Sequence, residues 1–211
     1  MCRRCARLVA WREQVAREKR RAYRDWEYWG KPVAGFGDPA ARVLVVGLAP
    51  GAHGSNRTGR MFTGDSSGDF LYAALHRAGF ASQAAANHRG DGMTLRDMFI
   101  TAVARCAPPG NKPTSAEIAA CRPYLQREIA LLENLQVIVA LGRIAFDSLV
   151  LLYEAQSRGW VFSHGAVFPL SPQVTLLASY HPSRQNTQTG RLTPTMFDAI
   201  WSAVRAHLDL N

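Results

Sequence analysis

Apolar positions recur along this chain with two different periods. Unbroken apolar runs at 42–47 (Arg-Val-Leu-Val-Val-Gly), 98–103 (Met-Phe-Ile-Thr-Ala-Val), 136–141 and 174–178 read as four strands buried on both faces. Leu8, Trp11, Val15, Ala22, Trp26 and Trp29 follow Cys5 at helical spacing, with arginines mostly on the opposite side. That pattern predicts an amphipathic helix against the core. Asp69 to Gly79 reads as a second helix, and another follows the third strand to about Tyr153. Thr114 and Glu117 form a capping box, and Pro123 is expected to break that helix, leaving Cys121 at the end of its first segment. Thr193 and Pro194 supply N-cap and N1 of the last helix.

Strands alternating with helices predict a three-layer α/β/α domain around a central, mostly parallel four-stranded sheet. At 211 residues the chain reads as a single domain, 1–211, without internal repeats and long enough to bury its own core. In such sheets ligands bind beyond the carboxyl ends of the strands. Three loops meet that rule, 47–68, 104–113 and 179–191, and they hold the unusual residues.

The formal charge is +9, and residues 1–31 carry ten Lys/Arg against four Asp/Glu, a basic arm suited to a polyanion or to a solvated face. No apolar run is long enough to span a bilayer, and the Arg-rich N-terminus lacks the apolar stretch of a signal peptide. A cytoplasmic protein is expected. In a reducing compartment, four cysteines point to metal or redox chemistry before disulfides. Cys2 and Cys5 form a C-x-x-C, and Cys106 and Cys121 have fourteen residues between them. Four thiolates suit zinc or an iron–sulfur cluster. Structural zinc usually shows two short knuckles, which the second pair is not; unrelated buried thiols are the third possibility.

The first loop runs Gly-Leu-Ala-Pro-Gly-Ala-His-Gly-Ser-Asn-Arg-Thr-Gly-Arg-Met-Phe-Thr-Gly-Asp over 47–65. Its glycines permit close approach of a ligand, Arg57 and Arg60 could meet phosphate, and Phe62 could be a stacking platform. Together, G-x-A-P-G after a buried strand, R-x-F-T-G-D, C-x-P-P-x-N-K-P and His181-Pro182-Ser183 resemble the uracil-DNA glycosylase superfamily. The cysteines are similar to those of its iron–sulfur branch, and the longer strings around residues 47–60 and 181–193 to family 5, the UDGb type. The resemblance covers nearly the whole chain.

It implies a monofunctional DNA glycosylase of base excision repair. Such an enzyme flips uracil out of DNA and hydrolyses the N-glycosidic bond to leave an abasic site. A structural 4Fe–4S cluster on Cys2, Cys5, Cys106 and Cys121 would tie in the arm, with no diffusible cofactor. Phe62 would stack on the base, and His181 would donate to a base carbonyl and stabilise the leaving anion. Asn111 would bond the base edge or the water, and Asp65 would position or activate water. Gly47, Ala49, Pro50 and Gly51, with backbone N–H groups to Ala52, would line the pocket. Arg57 and Lys112 would hold phosphates, and Ser183, Gln185 and Asn186 would press on the strand beside the extruded nucleotide. Lys112 is the only lysine in these loops and reads as a phosphate contact, so no covalent lysine intermediate is expected.

Each residue has a plainer reading. His181 could cap a turn, Phe62 could be core, and Asn111 could be a turn residue after Gly110. Asp65 could be an N-cap, leaving the role to Asp69. His53 reads as loop wall, and His164 carries no signal. Two departures from the broader pattern stand out: Leu48 where family 4 carries an acid, and Ala102 where the superfamily's uracil-reading Asn is expected. Losing that amide implies a looser pocket, open to hypoxanthine or hydroxymethyluracil. Rival classes are a catalytically silent nucleic-acid-binding module and an iron–sulfur redox protein. The expected partner is DNA with uracil or other deaminated bases, bound by a monomer away from membranes.

Overall fold

The computed structural model describes residues 1–155 and 158–209. Its strands are β1 (Phe36–Gly37), β2 (Val43–Gly47), β3 (Met98–Ala102), β4 (Val137–Leu141), β5 (Val167–Pro169) and β6 (Thr175–Ser179). They form one sheet in the order β1-β3-β2-β4-β6-β5. The four inner strands are parallel and coincide with the four apolar runs, while short antiparallel strands close both edges. The sheet therefore has six strands rather than the expected four.

Helices α1 (Ala6–Glu18), α2 (Ser55–Thr58), α3 (Ser66–Arg77), α4 (Ser115–Leu131), α5 (Arg143–Leu152), α6 (Arg184–Gln188) and α7 (Pro194–Asp209) complete the fold. Alternate residues of β2 go to opposite layers. Val43 and Val45 join a core with Leu71 and Leu75 of α3 and Phe197, Trp201 and Val204 of α7. Leu44 and Val46 join a second core with Leu125 of α4 and Phe146 and Leu149 of α5. Both faces of the strand are thus covered, which is why it reads as a continuous apolar run. Burying each such side chain contributes about 1.5–3 kcal/mol.

Two helices depart from expectation. α4 runs through Pro123 without a break. Its start is fixed by the full capping box between Thr114 and Glu117. Its second half is held by Glu128, which pairs with Arg105 and accepts from Thr101 Oγ1 (2.6 Å) and Gly35 N (3.2 Å). Anchoring on both sides outweighs the one hydrogen bond that proline removes. α1, by contrast, ends at Glu18 rather than reaching Trp29: Lys19 takes φ 53° and its N–H closes on the Val15 carbonyl. The chain then turns back, and Arg20 and Tyr23 end at the rim of the cavity described below. None of the described helices is long and apolar enough to cross a membrane.

Candidate functional site

The parallel strands end level with one another: Gly47 pairs with Ala102, and Leu141 with Ser179. The loops that leave these ends surround a cavity of about 770 Å³. Ala49, Gly51, Phe62 and Asp65 line it from the first loop, Asn111 and Lys112 from the second, and His181, Ser183 and Gln185 from the third. The three loops singled out in the sequence therefore converge on one concavity.

Phe62 forms part of its wall with φ 51°, in the left-handed region. Its ring lies over Gly47, where a Cβ would come within 2.7 Å of Cζ, so a side chain at that strand end would displace the ring. The Phe62 and His181 rings stack, with centroids 5.9 Å apart and planes inclined by 30°. Contacting ring faces lie about 3.5–4 Å apart, so the two rings are displaced sideways, and no third ring fits between them. Burial pushes the His181 imidazole down to about 4, so the ring is neutral at pH 7. Asn186, expected against a DNA strand, instead donates from Nδ2 to the His181 carbonyl (2.9 Å) and fixes its backbone. Ser183 caps α6 by accepting from Asn186 N at 3.3 Å.

Asp65 is both N-cap and cavity wall. Oδ1 accepts from Ser67 N and Gly68 N, each at 3.1 Å. Oδ2 points at Gly51 and Gly54, both of which lack the Cβ that would collide with it. Among the described residues no protein donor reaches Oδ2. Burial raises the carboxyl above its ordinary range, opposed by the Gly68 and Ser67 N–H groups. Asp69, the fallback, is exposed and does not line the cavity. Asn111 sits at φ 55° on the rim, exposed, its amide without a protein partner among the described residues. Ala102 is buried and Leu48 is apolar, so neither offers a polar group to the cavity.

The expectation that Arg57 and Arg60 meet phosphate is corrected, since both are buried. Arg57 packs into the corner of the edge-to-face Tyr23 and Trp26 rings, 3.9 and 4.0 Å from their centroids. Arg60 makes two 2.7 Å bonds to Asp91, which holds that carboxyl well below the usual range. Gly47, Pro50 and Asn186 back the cavity without lining it. Sequence reasoning missed Arg20, Tyr23, Met61 and Ser67 in the lining. It also missed His164, whose Nδ1 accepts from Tyr180 N (3.2 Å) next to His181. Met61 and Ser67 flank Phe62 and Asp65 in the first loop, whereas Arg20, Tyr23 and His164 reach the site through long-range contacts that no local window contains.

Cys2, Cys5, Cys106 and Cys121 are free thiols lining a second cavity of about 430 Å³ between the N-terminus and α4. Arg12, fully buried, donates from Nη1 to Cys106 Sγ (2.8 Å), and Arg105 N donates to Cys121 Sγ (3.3 Å). Among the described residues no three His, Cys, Asp or Glu side chains are drawn together as a metal site. The donor set is nonetheless that of a four-thiolate centre, and its buried cation and N–H groups fit a sulfur-rich anion.

Residues 34–205 match the family described as the uracil DNA glycosylase superfamily. The chain belongs to the uracil-DNA glycosylase superfamily. It is 56% identical to the type-5 uracil-DNA glycosylase of Thermus thermophilus, over 93% of this chain and 89% of that protein. It is 54% identical to the type-5 uracil-DNA glycosylase of Mycobacterium leprae, over 95% and 89% of the two chains. With the type-4 uracil-DNA glycosylase of Pyrobaculum aerophilum the identity is 34%, over 74% of each. The family match spans all three cavity loops.

Proposed function

We propose that this chain is a monofunctional DNA glycosylase of base excision repair that removes uracil and leaves an abasic site. The observation that carries this reading is the offset Phe62–His181 pair inside the cavity shared by three strand-end loops. A base stacked on the part of the Phe62 face not covered by His181 lies level with the imidazole, so a ring N–H can reach its carbonyl edge. Flipping the nucleotide costs a few kcal/mol. Cutting the N-glycosidic bond then puts negative charge on the base and positive charge on the sugar. A neutral imidazole held in a buried site donates to that growing anion, where a preorganised donor counts most. Asp65 Oδ2, without a protein donor among the described residues, is available to hold water and to favour the cationic sugar. Asn111 reads the base edge or the water, and Lys112 meets phosphate. Ser183 and Gln185 face the DNA strand, with exposed Arg184 between them.

Cys2, Cys5, Cys106 and Cys121 would hold a 4Fe–4S cluster, which fastens the N-terminal arm and takes no part in the chemistry. The enzyme works as a monomer in the cytoplasm. Since neither Leu48 nor Ala102 supplies a discriminating polar group, hypoxanthine and hydroxymethyluracil are also substrates. The test is a set of duplex oligonucleotides with one lesion each, incubated with the protein and then cleaved with alkali. Strand breaks at uracil are expected, with weaker breaks at the other lesions. Intact uracil strands would leave only a binding module, and breaks at uracil alone would refute the looser pocket.

A further inference from the structure

Arg57 sits in a Gly-rich loop, where a cation invites a phosphate, yet its guanidinium is buried in protein contacts. Its guanidinium carbon lies 3.9 Å from the Tyr23 ring centroid and 4.0 Å from that of Trp26, on the segment that folds back after α1. Nε donates to the His53 carbonyl (2.7 Å) and Nη2 to the Gly64 carbonyl (2.8 Å). The remaining nitrogen, Nη1, is buried and meets no acceptor among the described residues. A Cβ on Gly64 would come within 2.5 Å of Nη2, so the backbone is closed around the head group.

The two carbonyls it grips are informative. His53 immediately precedes Gly54, whose bare Cα makes room for the Asp65 carboxylate, and Gly64 immediately precedes Asp65 itself. One planar, bidentate donor therefore spans the two backbone segments that enclose Asp65. We propose that Arg57, seated in the corner formed by the Tyr23 and Trp26 rings, is a positioning residue that locks the N-terminal arm onto the loop carrying Phe62 and Asp65. It acts through Asp65 rather than on DNA. Only a guanidinium can donate along two diverging directions while it also packs into the corner of two aromatic rings. The arm, fastened at its start beside the cysteines, thereby becomes part of the scaffold of the site.

The inference rests on the glycosylase reading only for its activity readout. Arg57→Gln, Arg57→Lys and Trp26→Ala are compared with the wild type in three measurements. These are amide hydrogen exchange over residues 51–68, affinity for a duplex with an abasic site across a salt series, and the single-turnover rate on uracil-DNA against pH. The charged groups facing Asp65 are Arg57 from α2 and Asp69 from its own helix, with Lys112, Arg20 and Arg184 across the cavity. Arg57→Gln is expected to raise exchange at residues 64–68 at least 10-fold and to slow cleavage about 100-fold. Its acid limb should move to higher pH, and its DNA affinity should stay within about 2-fold. Arg57→Lys keeps the charge, so its acid limb stays in place while the rate falls. Trp26→Ala, outside the cavity, shows a smaller loss of the same kind. If Arg57→Gln fails to fold, the other two variants carry the test. Unchanged exchange in the variants overturns the clamp. So does a loss of DNA affinity equal to the loss of rate with a salt slope shallower by about one, which is the mark of a phosphate contact. A wild type that cleaves no uracil-DNA would sink the glycosylase reading, while the exchange data would still decide the clamp.

Discussion

A Cβ on Gly54 would come within 2.6 Å of the Asp65 Cγ: the carboxylate occupies the space that the missing side chain leaves. Gly54→Ala adds a methyl group into the space that the carboxylate fills. Asp65 must then swing away from the cavity or give up its bonds to Ser67 and Gly68. The rate on uracil-DNA is expected to fall about 100-fold and stability by about 1–3 kcal/mol. Single-turnover kinetics with a thermal melt measure both.

Asp65→Asn separates capping from chemistry. The amide oxygen still accepts from Ser67 and Gly68, but the desolvated charge is gone. A raised folded-state pKa means that Asp65 favours the folded protein while it is protonated. That contribution is full below the unfolded carboxyl's 3.8 and is lost as pH rises through the raised value. At pH 7 the variant is therefore expected to melt no lower than the wild type while cleaving at least 100-fold more slowly. Equal rates would remove Asp65 from the chemistry.

His181 has the opposite linkage. Burial disfavours its charged form, so its contribution is present above the unfolded value of 6.5 and is lost as pH falls towards about 4. Across that window it accounts for at most about 3 kcal/mol. Denaturant melts at a series of pH values should show a shallower acid loss for His181→Ala than for the wild type. Wild-type cleavage should show no inflection near 6.5, because the ring stays neutral down to far lower pH.

The cysteine cavity predicts coloured protein. Anaerobically purified material is expected to carry iron and sulfide with broad visible absorbance, which Cys106→Ala abolishes. Arg12→Gln removes the N–H donor to Cys106 Sγ and should bleach faster under a chelator. Chelation should loosen the arm while the two-layered core stays folded, since a 211-residue chain buries enough without a metal. Colourless protein with stoichiometric zinc would refute the cluster.

What the sequence makes legible follows from how local each signal is. Four inner strands are buried on both faces by their own runs of Val, Leu and Ile, so they stand out. β1 and β5 span two and three residues and include Gly37 and Pro169, a pattern that does not mark a strand. Thr114 and Thr193 announce helix starts through side-chain chemistry within three residues, whereas α3 starts at Ser66, capped by Asp65, three residues ahead of the expected Asp69. The continuation of α4 past Pro123 depends on Glu128 meeting Arg105 and Thr101, contacts that no local window contains. The same holds at the site. Phe62, Asp65 and His181 follow from their loops, but the burial of Arg57 depends on Tyr23 and Trp26 arriving from the arm. Asn186, polar in an exposed-looking loop, turns inward because the His181 carbonyl needs a donor.

The most direct test is single-turnover cleavage of a uracil-containing duplex by wild type, Phe62→Ala, His181→Ala and the double variant. Cleavage by the wild type is expected, with losses of about 10–100-fold for Phe62→Ala and about 100–1000-fold for His181→Ala. The double variant should lose less than the product of the two, because base and imidazole rest on the same ring. Wild-type rates in both single variants, or no abasic sites from the wild type, would contradict the shared-ring site.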